Sequence, residues 1–184
     1  MSPATEAEIA GADAGRGIGA LVLTGFGVFW LYNAMLLGGV SRIWFAALWL
    51  AAAALVAASV ICVRRGYRAA GVIAKRPPEV ARRFWIVFGL EAAAIIAVII
   101  LFQLWHWDRY IVAAIAIIVG IHFLPLAKLF RAPLYNFTGV ALIVWPLILL
   151  ATMLGTASRD VAIAYGAGAV LWGTAMIVIA IPRR

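Results

Sequence analysis

The chain has 184 residues, of which 67% are hydrophobic and only 12% are charged, and its mean hydropathy is +1.09. This small number of charged side chains cannot cover a water-facing surface. The composition therefore excludes a soluble domain and predicts an integral membrane protein. The net charge of +8 would favour nucleic acid binding in a soluble protein. Here the basic residues lie mostly between apolar runs, where membrane orientation accounts for them, and we expect no nucleic acid partner.

The first 16 residues are polar, acidic and rich in small side chains, which predicts a short disordered cytoplasmic tail. Residues 17–184 then read as one domain, because apolar runs follow one another with only short polar breaks. The six runs are 18–37, 43–63, 84–104, 110–126, 134–154 and 161–181. Each is close to the roughly 20 residues that a spanning helix requires. We therefore predict an all-α membrane protein, a compact bundle of six transmembrane helices, with Pro125 bending or ending the fourth.

The distribution of basic residues predicts the orientation of this bundle. The connection 64–83 is strongly basic and should be cytoplasmic. Alternation then leaves Arg42, Arg109 and Arg159 outside, so that 12 of the 15 basic residues lie inside, together with both termini. The basic connection should also contact anionic lipid headgroups. Its basic residues are Arg64, Arg65, Arg68, Lys75, Arg76, Arg82 and Arg83.

Small residues at helical spacing predict how the helices pack, because such stripes let two backbones approach closely in lipid. Four of the predicted helices carry one. The stripes are Ala47, Ala51, Ala54 and Ala58; Gly89, Ala93 and Ala97; Ala113, Ala116, Gly120 and Ala127; and Ala162, Gly166, Ala169 and Gly173.

Two ionisable residues stand inside predicted helices, Glu91 in the third and His122 in the fourth. Ionisable side chains at membrane depth are costly and usually face a bundle interior, so each needs a partner. Counted inward from Arg83 and from Arg131, both lie roughly 12 to 14 Å deep at 1.5 Å per residue. Because a short connection joins the two helices, we expect the carboxylate and the imidazole to meet.

A buried glutamate and histidine can exchange one proton near neutral pH, which is typical of a proton relay or a coupling-ion site. Pro125 adds to this polar site because it has no N–H to bond the carbonyl of Ile121, beside His122. Thr24 and Thr174 reach a similar depth and could hydrogen-bond to the pair. The alternative is a static hydrogen bond that locks two helices together.

Other motifs are scarce. The sequence has no G-x-S-x-G, no H-E-x-x-H, no P-loop and no paired cysteines, so we expect neither an enzyme nor a bound metal or cofactor. Cys62 is the single cysteine and reads as a small packed residue. His106 and His122 lie too far apart in depth to hold one haem within a monomer.

The segment GIHFLPLAKLFRAPLYNFTG, residues 120–139, resembles a run of the type G-x-H-F-x-P-L-A found in small uncharacterised bacterial six-helix inner-membrane proteins. The resemblance covers the fourth helix and its junction to the fifth. It implies a small multi-pass protein of a bacterial inner membrane and carries no activity.

Two functions are compatible with these observations. The first is a small permease or channel-like carrier in which Glu91 and His122 form a proton-responsive site. The second is a non-transporting structural or accessory subunit that meets a second copy of itself or another membrane protein through its lipid-facing surface. Substitution of either residue separates the two, because only the carrier loses a pH-dependent flux while it stays folded.

Overall fold

The computed structural model describes residues 3–70, 78–153 and 157–180. These residues form six α-helices, and each contains a segment long and apolar enough to cross a membrane. The helices are α1 Pro3–Leu37, α2 Arg42–Ala70, α3 Pro78–Leu104, α4 Ile111–Leu129, α5 Leu134–Thr152 and α6 Ala157–Ala180, with a short 3₁₀ turn at Asp108–Tyr110 before α4. The predicted class, an all-α membrane bundle of six helices, is confirmed.

Two helices differ in extent from the prediction. Helix α1 begins at Pro3, so residues 3–16, predicted as a disordered tail, continue the first membrane helix. Alanine and glutamate in this stretch favour a helix, and proline is well tolerated in a first turn. Helix α4 does not end at Pro125 but runs one further turn to Leu129.

Three helices end in the same backbone motif. Gly39, His106 and Arg131 have φ angles of +62°, +56° and +51°. The amide of the next residue then bonds back to a carbonyl five residues earlier: Val40 to Met35 at 3.3 Å, Trp107 to Phe102 at 2.7 Å and Ala132 to Ala127 at 2.9 Å. This arrangement satisfies the last carbonyls of a helix and turns the chain sharply. It places α1 beside α2, α3 beside α4, and α4 beside α5.

The packing order leaves α2 and α3 at opposite ends of the bundle. Helix α1 packs on α2 and α6, α4 packs on α3 and α5, and α5 packs on α6. The buried core accordingly comes mainly from α1, α4 and α6, with contributions from α5. Helix α3 has α4 as its main neighbour and stands away from α1, which leaves space between them.

The small-residue stripes have mixed outcomes. The stripe on α4 is buried, as predicted, and Gly120 meets Gly139 of α5 so closely that a methyl group on either would lie 2.7 Å from the other's carbonyl oxygen. The predicted stripe of α3 is wrong, because Gly89, Ala93 and Ala97 are exposed. In α2 the stripe is largely exposed as well, and Leu48, Ala52 and Ser59 are buried instead. In α6 the buried face is shifted to Ile163, Ala164, Ala167 and Leu171.

A buried arginine ties the start of α6 to the turn before α4. Arg159 is 2% exposed, and its guanidinium donates to the carbonyl of Arg109 and lies 3.3 Å from the carboxylate of Asp160. The same guanidinium stands 5.7 Å from the centre of the Tyr110 ring. Arg159 was predicted to lie in an outer connection between helices, whereas in the structure it is buried and packed between two elements.

Candidate functional site

The structure brings the two predicted ionisable residues together. His122 Nδ1 of α4 lies 3.3 Å from Glu91 Oε2 of α3, and the side chains are 9% and 7% exposed. Glu91 is the one residue of α3 less than about a tenth exposed among those whose burial is described. The contact of α3 with α4 is therefore centred on a carboxylate, and the apolar side chains of α3 mostly face outward.

The two side chains lie within ion-pair distance of each other, but their contact does not have the geometry of a hydrogen bond. His122 Nδ1 is buried and has no hydrogen-bond partner among the described residues. The backbone carbonyl of Val87, one turn before Glu91, also interacts with the imidazole. A buried polar atom without a partner is costly, so this site has hydrogen-bonding capacity left for a ligand or for water.

A cavity of about 750 Å³ reaches this pair. Its walls come from α1, α3, α4, α5 and α6, and most of them are apolar. Aromatic rings are prominent among the lining side chains, which include Phe26, Phe84, Phe88, Phe123, Phe130 and Tyr135. The volume falls within the range of roughly 300 to 1,000 Å³ that is typical of small-molecule sites.

Several of these rings form a continuous wall on the α3 and α4 side. Phe84 stacks on Phe88 with 6.2 Å between ring centres and also meets Phe130 at 6.1 Å. The ring of Phe123, next to His122 in α4, lies 5.7 Å from that of Tyr135 of α5. Such edge and stacked contacts hold rings in fixed orientations, so the cavity has a defined shape.

Arg16 of α1 lines the cavity near the basic end, the end of the bundle that carries Arg16, Arg83, Lys128 and Arg131. Its Nε donates to the carbonyl of Val178 at 3.0 Å, and Nη2 donates to the same oxygen. This carbonyl belongs to the last turn of α6, where helices leave acceptors without intrahelical partners. Arg16 therefore caps α6 while it contributes positive charge to this end of the cavity.

The cavity opens sideways between α1 and α3. Ile18, Val22 and Phe26 line it from α1, and these residues are 39%, 49% and 40% exposed. Phe88 of α3 lines the facing wall and is 37% exposed. Since both helices are membrane-spanning segments, this opening faces the lipid hydrocarbon rather than bulk water.

Pro125 was predicted as part of the polar site, but it is absent from the described lining of the cavity. It is exposed and lines a separate groove with Arg83, Val87 and Lys128. Leu129 lines both this groove and the cavity, whereas Pro125 lines the groove and His122 lines the cavity. The proline is therefore close in sequence to the pair and separated from the cavity in space.

Thr24 and Thr174 were predicted to hydrogen-bond to the pair, and the structure pairs both hydroxyls elsewhere. Thr24 donates to the carbonyl of Ala20 at 2.7 Å, within its own helix. Thr174 lies 2.7 Å from the hydroxyl of Thr138, in a buried contact between α6 and α5. Thr138 is thus the interhelical partner of Thr174.

The aromatic wall was missed by sequence reasoning, although one signal for it was available. Phe84, Phe88 and Glu91 follow one another at helical spacing, so they share one face of α3. A face that combines rings with a carboxylate is unusual for a lipid-facing surface. Taken together, these three residues predict a site lined by aromatic rings beside a carboxylate.

The predicted headgroup contacts lie where lipid can reach them. Arg64, Arg65, Arg68, Arg82 and Arg83 are exposed, while Lys75 and Arg76 lie outside the described residues.

The described residues contain no group of three or more histidine, cysteine, aspartate or glutamate side chains that could hold a metal ion. Glu91 and His122 by themselves supply two ligands, fewer than the protein sites of zinc usually have. Comparison of the chain with models of known protein families, with curated proteins and with solved structures finds no match in any of the three.

Proposed function

We propose that this polytopic membrane protein is a small proton-responsive permease or carrier, with Glu91 and His122 as its proton-binding site. The observation that carries the proposal is the cavity of about 750 Å³ that reaches both side chains. A pair that served only to lock α3 onto α4 would need no such access. The contact between His122 Nδ1 and Glu91 Oε2 lacks hydrogen-bond geometry, which also favours a site that exchanges partners over a static contact.

The chemistry follows from the arrangement of the pair. A carboxylate and an imidazole at 3.3 Å in a low-dielectric environment interact strongly, so they bind protons as a pair, and one added proton raises the net charge of the pair by one. Access from the cavity lets water or a ligand deliver and remove that proton. Intramembrane acidic and histidine side chains commonly serve as relays of this kind.

We also propose that the protein lies in a bacterial inner membrane with both termini in the cytoplasm, as the resemblance and the charge distribution predicted. In this orientation the exposed arginines near the ends of α2 and α3 contact anionic headgroups, and the basic end of the cavity faces the cytoplasm.

Proton flux into proteoliposomes tests the proposal. Vesicles that enclose a pH-sensitive dye receive an acid pulse outside, and the rate of internal acidification is measured for the wild type, Glu91→Gln and His122→Gln. Both substitutions keep the side-chain size and remove the titrating group, so we expect the protein-dependent rate to fall at least tenfold. Glu79→Gln is the matched control, because Glu79 is an exposed carboxylate on the same helix.

Thermal unfolding of each purified variant separates function from folding. Variants that keep the wild-type midpoint and lose the flux support the carrier. Variants that keep both the midpoint and the flux contradict it. A collapse of folding in both Glu91 and His122 variants favours the structural role of the pair.

The second candidate, an accessory subunit, is favoured by a different observation. The outer faces of α2 and α3 carry small residues that none of the described helices covers, including Ala47 and Ala51 on α2 and Gly89 and Ala93 on α3. Such stripes suit close helix contacts in lipid. Purification in mild detergent followed by mass measurement checks for a stable second copy or partner.

A further inference from the structure

We infer that the cavity binds a lipophilic organic cation, with Glu91 as its counter-ion and the phenylalanine rings as its apolar and cation–π surface. This inference names a ligand class for the proposed carrier and so rests on that proposed function. The proposed ligand is a monovalent cation with its charge embedded in aromatic or aliphatic bulk.

The charges that line the cavity favour a cation at its deep end. Among the described lining residues, Glu91 is the only acidic side chain. Its contact is with His122, which can be neutral, rather than with a lysine or arginine. Arg16, the permanent cation of the lining, is already held by the carbonyl of Val178 at the basic end. The deep carboxylate therefore has no permanently charged partner among the contacts shown, and a ligand cation can supply one.

The rings supply the rest of the recognition. Phe84 and Phe88 of α3 adjoin the carboxylate along one helix face, and Phe26 and Phe123 line the cavity from α1 and α4. The faces of aromatic rings attract cations, and the attraction is stronger when the site is desolvated. A hydrophilic cation would gain little from such walls, so the lining selects a cation that is itself apolar.

The position of the opening points to the same chemistry. The cavity opens between α1 and α3 through exposed apolar side chains such as Val22 and Phe26. A ligand that uses this route must first dissolve in the hydrocarbon region of the bilayer, which lipophilic cations do and metal ions do not. The lateral route also avoids the basic end, which would repel a cation.

A proton and the ligand cation then compete for one negative charge. The titratable or charged groups that share the cavity with Glu91 are His122 on α4, Arg16 on α1 and Tyr135 on α5, and the described α6 lining, Ile177 and Val178, adds none. Release of the proton from the pair to water leaves the carboxylate to bind the cation, and reprotonation displaces it. Each cycle would exchange one proton for one monovalent cation, which conserves charge.

Equilibrium dialysis of tetraphenylphosphonium against the full chain in lipid nanodiscs tests the inference, with protein-free nanodiscs as background. Tetraphenylborate has the same size and shape with the opposite charge, so it separates charge from hydrophobicity. We expect specific binding of the phosphonium and none of the borate. Phosphonium affinity should be at least tenfold weaker at pH 5 than at pH 8, because protons compete at the lower pH.

Substitutions locate the bound cation. Glu91→Gln should weaken phosphonium binding at least tenfold and remove its pH dependence, whereas the exposed control Glu79→Gln should leave both unchanged. Phe88→Leu keeps an apolar wall, removes a ring and leaves the pair intact, and we expect about threefold weaker binding. This second variant keeps the test decisive if Glu91→Gln fails to fold.

Three outcomes overturn the inference: equal or preferred binding of the borate, specific binding of neither probe, or phosphonium binding that is indifferent to Phe88 and to pH. The test is separate from the flux experiment. Glu91-dependent proton flux without phosphonium binding rejects the ligand class and keeps the carrier. Phosphonium binding without proton flux, when the flux is measured with phosphonium enclosed in the vesicles as the exchanging cation, rejects the carrier and keeps the site.

Discussion

Arg159 is a permanently charged side chain that is 2% exposed, although it stands in the first turn of a helix. Its guanidinium is satisfied by the carbonyl of Arg109, by the carboxylate of Asp160 and by the ring of Tyr110. A buried charge is tolerated only when it is paired and hydrogen-bonded, so these contacts depend on one another. They hold the start of α6 against the turn before α4.

Arg159→Leu should destabilise the protein by about 2 to 3 kcal/mol, because it leaves the Arg109 carbonyl and the Asp160 carboxylate without their charged donor. Thermal unfolding in detergent measures the effect as a lowered midpoint. Arg42→Leu is the matched control, since Arg42 is exposed at the start of α2. Equal midpoints for the two variants would show that the Arg159 contacts contribute nothing to stability.

The meeting of Glu91 with His122 was predictable because depth in a membrane can be counted from the charged residues at helix ends. At 1.5 Å per residue the two side chains fall at one level, and the short connection between α3 and α4 makes them neighbours. The hydrogen-bond partners of the Thr24 and Thr174 hydroxyls could not be predicted in this way. A threonine in a helix can satisfy itself on its own backbone, so equal depth creates no need for a distant partner.

Among the helices, α4 and α5 cross at the point where Gly120 meets Gly139. The carbonyl of each lies so near the other glycine that no side chain fits between them. Close approach of this kind replaces the hydrophobic effect as the source of helix association in lipid, where packing contacts do most of the stabilising. The crossing also fixes α4, and through it the depth at which His122 stands.

Gly120→Ala should destabilise the bundle by about 1 to 3 kcal/mol, because its new methyl group would overpack against the backbone of α5. Gly89→Ala makes the same change on the exposed face of α3, where a Cβ meets nothing within 4 Å. We expect the control to be neutral or slightly stabilising, as alanine favours a helix over glycine. Unfolding midpoints compare the two, and an unchanged midpoint in Gly120→Ala would contradict the close crossing.

The small-residue stripes also show that the pattern of one helix does not determine which of its faces is buried. In α4 the small residues are buried, whereas in α3 the same spacing is exposed and the buried position is Glu91. A helix can present any of its faces to a neighbour, and small size permits close contact without requiring it. Which face is covered depends on the positions of all the other helices.

For the molecule as a whole, the distribution of basic residues predicts the orientation in the membrane. Twelve of the 15 lie at one end when the chain alternates across the membrane six times. Basic segments resist translocation, so this end should remain in the cytoplasm.

A reporter fused after Arg184 tests this orientation. A fluorescent protein that folds only in the cytoplasm should be bright there, and alkaline phosphatase, active only outside, should be inactive. The same two reporters inserted within residues 105–107, between α3 and α4, should give the reverse. Phosphatase activity at the C-terminus would contradict the topology and would place the basic end of the cavity outside.

Composition and the lengths of the apolar runs by themselves determined the membrane class, the six helices and the shared level of Glu91 and His122, because these depend on distances along one helix axis. The tertiary structure alone decided that α3 stands away from α1, that phenylalanines line the resulting cavity, and that Pro125 lies outside it. Those features depend on the rotation and spacing of helices about one another. In lipid, where nearly every face is apolar, hydrophobic pattern does not encode that rotation.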